Sequence, residues 1–357
     1  MFNTIYTCPK IELKKQERIN FIIQNILTFL TNDKLISLIK KSDKSFFDNA
    51  TIDFVLRTKL LLGKKRDKFK VGFFYKNNII KYINKVCEFS NAWDYRNKQD
   101  VLLKTGERAR WLLENDDFAI TNEEEILACA KELGFIGKTE LSNDKLNIDY
   151  VLVLGGGKES NILRPLYAKL MIDKYSFNDA MVVGLTCDRK IDESENTVEF
   201  HYDESCKTEF DCVRYGLQKA FNRTKYIKAY EDIDKIINDD ITNDMPEVGN
   251  KVYVLRSPAN DGRDRANSKD TYEYFFEILF NHNLKNILLV SSQIFVPYQG
   301  LSFMEFALEH NIYFEIVGYP YLLYDKTGEY QHAQPVKYLQ EFRSVMMTAK
   351  MFIEKYL

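Results

Sequence analysis

The chain has 357 residues, of which 45% are hydrophobic and 29% charged, and its formal net charge is −2. That balance suits a water-exposed globular protein of about two domains and excludes a fibrous or low-complexity chain. No stretch reaches the roughly 18 uninterrupted apolar residues of a membrane span, and MFNTIYTCPKIELKKQ at the N-terminus has no signal-peptide core, so a cytoplasmic protein without a membrane partner is expected.

The first 147 residues read as a mostly helical domain. In ERINFIIQNILTFL (17–30), apolar residues recur at three- and four-residue spacing, the stripe of an amphipathic helix. KLISLIKK (34–41) and NNIIKYINKVCEF (77–89) repeat it. Thr121 with Glu124 fits a capping box for a helix that Gly134 closes. This half carries 26 Lys and Arg against 20 Asp and Glu, and its basic excess peaks in GKKRDKFK (63–70). Lys64, Lys65, Arg66, Lys68 and Lys70 there offer a nucleic-acid contact, but so short a run reads more simply as a solvated loop. The polar segment 137–147 is expected to connect to a second domain, residues 148–357.

From 148 the period changes. Apolar runs at 150–154, 180–185, 251–255, 286–290 and 313–317 alternate with helical candidates at 162–174, 208–222, 269–281 and 300–310. Strand–helix alternation with fully apolar strands predicts an α/β fold, a parallel sheet covered by helices on both faces. Residues 190–207, with the alternating TVEFHY, and the acidic residues 226–248 read as insertions, and an amphipathic helix ends the chain. This half carries 24 Lys and Arg against 32 Asp and Glu.

Ligands of open parallel sheets bind beyond the carboxyl ends of the strands. The residues just past each apolar run are therefore the site candidates. They are Gly155, Gly156, Gly157, Lys158 and Glu159 after the first run, and Thr186, Cys187, Asp188 and Arg189 after the second. Arg256, Arg263 and Arg265 follow the third, and Ser291, Ser292 and Gln293 the fourth. The three glycines either turn the chain or let a backbone approach a ligand beside a helix start, whose free N–H groups attract anions. In RANSKDTYEYFF (265–276), Asn267, Ser268 or Asp270 can cap a helix with Thr271 in its first turn, which makes either an anion pocket or a well-capped surface helix.

Known fingerprints fit poorly. Ser160 stands where G-x-G-x-x-G needs its last glycine, and Glu159 follows Gly157-Lys158 where a P-loop needs Ser or Thr, so a conventional NAD or ATP site is not expected. The six cysteines form no CxxC pair and the chain has only four histidines, which argues against zinc and against a disulfide framework. Cys187 sits at a strand end without an evident histidine partner and reads as a structural thiol. Asp188, Glu209, Asp211 and Asp270 would have to gather to hold Mg²⁺, and Asp211 and Asp270 read more simply as helix-start acids.

In their order, VLVLGGG (151–157), Arg164 with Ala168, Thr208-Glu209, Ser268-x-Asp270-Thr271-x-Glu273 and LLVSS (288–292), these residues resemble the YdcF-like family, which includes SanA and ElyC. The resemblance covers roughly residues 148–320. It implies a Rossmann-like fold with a ligand cleft at these loops, and its cytosolic branch implies S-adenosylmethionine as a ligand, with no defined reaction. Arg164 and Glu209 enter the candidate site with it. The sequence departs from the family pattern where a histidine and an arginine are usual, which here are Phe295 and Tyr298, and where Tyr274 replaces an asparagine. The glycine pair after the second strand is also broken, into Gly184-Leu185-Thr186. Two functions are therefore carried forward. One is binding of a nucleotide-like or adenosyl small molecule, or another anion, at the strand-end loops. The other is a non-catalytic sensor or scaffold whose helical half binds a protein partner.

Overall fold

The computed structural model describes residues 8–9, 12–64, 73–99, 113–137, 141, 146–192, 195, 206–221, 227–230, 251–259, 265–281, 283, 285–320 and 333–357. The basic residues 65–70, TVEFHY (197–202), Arg263 and residues 231–248 lie outside the described residues.

The N-terminal part contains α1 (Lys15–Leu30), α2 (Asp33–Ser42), α3 (Asn49–Lys64), α4 (Phe73–Ser90), the short α5 (Tyr95–Lys98) and α6 (Asp117–Thr121), and α7 (Glu123–Glu132). Each expected helix is present, because its apolar stripe finds partners: Ile22, Ile23, Ile26, Leu27 and Leu30 of α1 are all fully buried. The start of α7 differs from expectation. Thr121 ends α6, and Asn122 takes the N-cap position without a side-chain cap bond. Glu123, Glu124 and Glu125 instead complement the helix dipole from the first turn. Gly134 closes α7 as predicted. Its φ of 83° lets the Phe135 N–H reach back to Ala130 O at 2.8 Å, a conformation that costs other residues strain.

The second part runs β1 (Tyr150–Leu154), α8 (Ser160–Tyr175), β2 (Met181–Thr186), α9 (Glu209–Phe221), β3 (Ile227–Tyr230), β4 (Val252–Arg256), α10 (Ser268–Ile278), β5 (Asn286–Ser292), α11 (Val296–Glu309), β6 (Tyr313–Tyr319) and α12 (Pro335–Tyr356). The strands form a six-stranded, all-parallel sheet in the order β3-β4-β2-β1-β5-β6. Five were expected from their apolar runs. The sixth, β3, lies in the segment read as a polar insertion; IKAY is short and has a lysine inside, so it shows no run, yet it pairs along the outer side of β4.

Every residue of β1 is buried because both faces are covered. Val151 and Val153 pack with Leu163, Tyr167 and Met171 of α8 and Val213 and Leu217 of α9. On the opposite face the Tyr150 ring meets Phe275 of α10 edge-on, with centroids 5.2 Å apart.

The chain divides into two compact units. One comprises Met1–Gly137, Gln293–Leu308 and Pro320–Leu357, and the other comprises Lys138–Ser292 and Glu309–Tyr319. A single division after residue 147 would place α11 and α12 with the sheet; both group with the helices instead. Phe342 of α12 lies between Trp93 and Phe135, with ring centroids at 6.2 and 4.9 Å. Arg18 of α1, 2% exposed, donates to Ala307 O of α11 at 3.0 Å. Periodicity shows that a helix has an apolar face, but not which surface will cover it.

α8 and α9 approach each other at one point with a covalent cause. Pro165 has no N–H, so it cannot close the helical bond to the Asn161 carbonyl. A Cβ on Gly216 would lie 1.9 Å from that Asn161 oxygen. Gly216→Ala is therefore expected to force the two backbones apart and cost about 3 kcal/mol, the upper end of overpacking. A lowered urea midpoint of unfolding, with the slope unchanged, is the measurement.

Candidate functional site

The strand order fixes where a site can form. From β1 the chain passes to β2 on one side, and from β5 to β6 on the other. The order reverses between the adjacent strands β1 and β5, and ligands of such sheets bind in the crevice outside the carboxyl ends at that reversal. The glycine loop 155–157 ends β1 there, and Ser292 ends β5.

Arg164 joins the two. It is 1% exposed. Its Nη1 donates to Leu154 O at 2.6 Å and Gly155 O at 2.5 Å, while Nε and Nη2 donate to Ser292 Oγ at 3.1 and 3.0 Å. The Ser160 hydroxyl lies 3.3 Å from both Ser292 Oγ and Tyr319 Oη. Burial pushes the Tyr319 phenol above its ordinary range, so it stays protonated.

A second buried arginine, Arg189, organises the ends of β1 and β2. Its Nε donates to Glu209 Oε2 at 3.1 Å, its Nη1 and Nη2 grip Glu195 at 2.6 and 3.0 Å, and Nη2 also reaches Gly156 O at 3.1 Å. Burial alone would favour losing its proton; the Glu195 hydrogen bonds and the charges of Glu209 and Glu195 outweigh this and hold the guanidinium firmly charged. Among the described residues Glu209 Oε1 has only long contacts, to Thr186 Oγ1 at 3.4 Å and Cys187 Sγ at 3.8 Å.

These side chains explain the glycines. A Cβ on Gly155 would fall 2.4 Å from Glu209 Oε1 and 2.8 Å from Leu185 O, and a Cβ on Gly156 would lie 3.0 Å from Arg164 Nη1. Three of the loop's N–H groups also have acceptors within the protein. Gly155 N donates to Leu185 O, Gly156 N to Asn161 Oδ1 and Lys158 N to Glu195 Oε2. Glu159 occupies the N-cap of α8 without a side-chain cap bond.

The other candidates are spread more widely. Asp188 is exposed and ion-paired with Arg256. Asp270 and Asn267 form a capping box for α10, and the Thr271 hydroxyl donates to Ser268 O at 2.9 Å. That start is a capped helix whose first N–H groups are engaged. Arg265, just before it, is exposed, and Ser291 is buried in β5. Gln293 belongs to the helical unit, where its Nε2 donates to Gly134 O at 2.7 Å. Asp211 accepts from Thr208 N and Lys207 N, so the four acids weighed for Mg²⁺ are not gathered; among the described residues no group of three or more His, Cys, Asp or Glu is placed to hold a metal.

Glu195, Asn161 and Ser257 were not singled out from the sequence. Ser257, at the end of β4, is 4% exposed, and its Oγ has no hydrogen-bond partner among the described residues. Arg189 stood among the residues just past the second apolar run, and the structure places it at the buried centre of the site; Glu195, in an unpatterned segment, left no signal.

The fold and this site define an α/β protein of Rossmann-like architecture with a helical N-terminal region. No family model matches the chain, and no solved structure matches it. The chain is similar to uncharacterized proteins of Mycobacterium bovis and Mycobacterium tuberculosis, 27% identical over 75% of this chain and 79% of theirs. The α/β unit holds less than half of the chain, so the likeness extends into the helical unit. Among the described residues no helix is long and apolar enough to cross a membrane.

Two outcomes follow from this geometry. Arg189→Met strands two buried carboxylates and is expected to cost about 3–5 kcal/mol, read by denaturant unfolding, whereas Arg189→Lys recovers only part because it lacks the fork. Burial, with the Glu209 charge, pushes the Cys187 thiol up to about 12, so it is expected to resist iodoacetamide at about pH 8 in the native protein and to react once unfolded, as mass spectrometry will show.

Proposed function

We propose that the α/β unit binds a small molecule at the carboxyl ends of β1, β2 and β5, and that this molecule carries an adenosyl or similar nucleoside group, with S-adenosylmethionine the first candidate. The observation that carries the reading is the state of Glu209. Its carboxylate lies at the strand ends against Gly155, and among the described residues its Oε1 has only contacts of 3.4 and 3.8 Å. Such an oxygen has acceptor capacity left for a hydroxyl pair, as a ribose offers. The glycine loop supports the same choice, because the N–H groups of Gly155 and Gly156 already serve Leu185 and Asn161 and are not arrayed for a pyrophosphate. The resemblance to the YdcF-like family points the same way, and a cytoplasmic location goes with it.

In this reading Glu209 holds the ribose, with Thr186 beside it. Arg164 keeps the two lips of the crevice at fixed separation and does not itself touch ligand, since its donors are directed at Leu154, Gly155 and Ser292. Calorimetry with S-adenosylmethionine and a nucleotide panel tests it. Wild type should bind an adenosyl compound. Glu209→Gln should weaken binding by about tenfold, or about 1.4 kcal/mol. Gly156→Val should abolish it, because the new side chain meets the Arg164 guanidinium. Absence of heat with every compound would refute the reading.

A further inference from the structure

We propose that Glu195 is a built-in occupant of the ligand site: its carboxylate fills the position of the ligand's own acid group, a carboxylate or phosphate, and the arriving ligand displaces it from Arg189. This rests on the reading that the strand ends hold a small molecule, and adds how that site is closed when empty.

Three observations carry it. The first is the fork. Glu195 Oε1 accepts from Arg189 Nη1 at 2.6 Å and Oε2 from Nη2 at 3.0 Å, the two-pronged geometry with which arginines grip free carboxylates and phosphates. Oε2 also takes the Lys158 N–H at 3.0 Å and lies 3.5 Å from where a Cβ on Gly157 would be. An acid is thus seated on the glycine loop, where sheets of this kind hold a ligand's anion.

The second is the charge count around Arg189. One guanidinium faces two buried carboxylates, Glu195 and Glu209, with side chains 3% and 10% exposed. Glu209 is fixed in the first turn of α9. Glu195 is the second acid, supplied by the connection between β2 and α9 and steadied there by the Asp192 N–H at 3.1 Å. Exchanging it for a ligand acid leaves the buried charge unchanged, so burial does not oppose the exchange.

The third is independent of that network. Ser257 donates its N–H to Thr186 O at 2.8 Å, so it sits beside the end of β2, yet its buried Oγ has no partner among the described residues. A buried hydroxyl left unbonded costs free energy that a ligand's polar atom would restore.

The test is calorimetry on the full chain with inorganic phosphate, acetate and S-adenosylmethionine as separate probes. A tethered group competes at a high effective concentration. Removing it by Glu195→Ala, in a variant shown to be folded by circular dichroism, should tighten binding of phosphate or acetate by about tenfold or more over wild type. Which of the two gains more identifies the acid. Equal or weaker binding of both probes in folded Glu195→Ala would overturn the proposal. If Glu195→Ala does not fold, Glu195→Gln is read by the same criterion, together with the Arg189 side-chain ¹⁵N resonances of wild type under phosphate titration. Movement of those resonances supports displacement, and their constancy at saturating phosphate overturns it. The two ideas fail separately. S-adenosylmethionine bound by wild type and variant, with neither phosphate nor acetate gained by the variant, leaves the ligand reading standing and removes the Glu195 proposal. Phosphate or acetate gained by the variant, with no adenosyl compound bound by either, does the reverse.

Discussion

Arg189 between Glu195 and Glu209 is the interaction on which the rest of the site depends. Three charged groups taken out of water cost several kcal/mol each unless they meet one another in good geometry. Here they do, and the requirement propagates. Glu209 must stand where a side chain on residue 155 would otherwise be, and Glu195 must lie over residue 157. The Gly156 carbonyl is drawn onto Arg189 as well. Residues 155 and 156 can therefore be nothing but small, and the course of the loop is set by side chains that reach it from α8, α9 and the connection between β2 and α9.

Arg164 does the matching work on the other lip. Its planar fork reads two successive carbonyls at the end of β1 and one hydroxyl at the end of β5. A parallel sheet leaves such carbonyls without strand partners where adjacent strands diverge, and a buried carbonyl must find a donor. An arginine there ties the ends of β1 and β5 together, which in the proposed binding lowers the ordering cost. A consequence is selectivity by subtraction. In the proposed binding, what remains to recognise a ligand is the acceptor capacity of Glu209, the hydroxyl of Ser257, which has no partner among the described residues, and whatever can compete for Arg189.

The fold was legible wherever burial imposes a period. The apolar runs at β1, β2, β4, β5 and β6 must be apolar because helices cover both faces of the sheet, and the stripes of α1, α2, α4 and α7 must recur at helical spacing because one face is buried. β3 escaped because an edge strand of four residues needs no apolar run. The grouping of α11 and α12 with the helical unit escaped for a different reason: the apolar face of α12 would satisfy a sheet as well as a helix bundle, and only shape selects between them.

The sequence by itself determined the alternation of strands and helices, the loops at the strand ends and the presence of three glycines that no core needs, because each is a local consequence of burial or backbone freedom. The tertiary structure decided what those glycines are for. Asp188 and Arg189 are neighbours in the chain, and either could face the site; the course of the chain after β2 sends Arg189 inward and leaves Asp188 at the surface with Arg256. Glu195 is polar, unpatterned and distant from the loop in sequence, and only the folding of the β2–α9 connection brings it to the Lys158 N–H. Charge pairs across a fold are long-range and leave no period in the chain, so their partners become visible only when the sheet has brought them together.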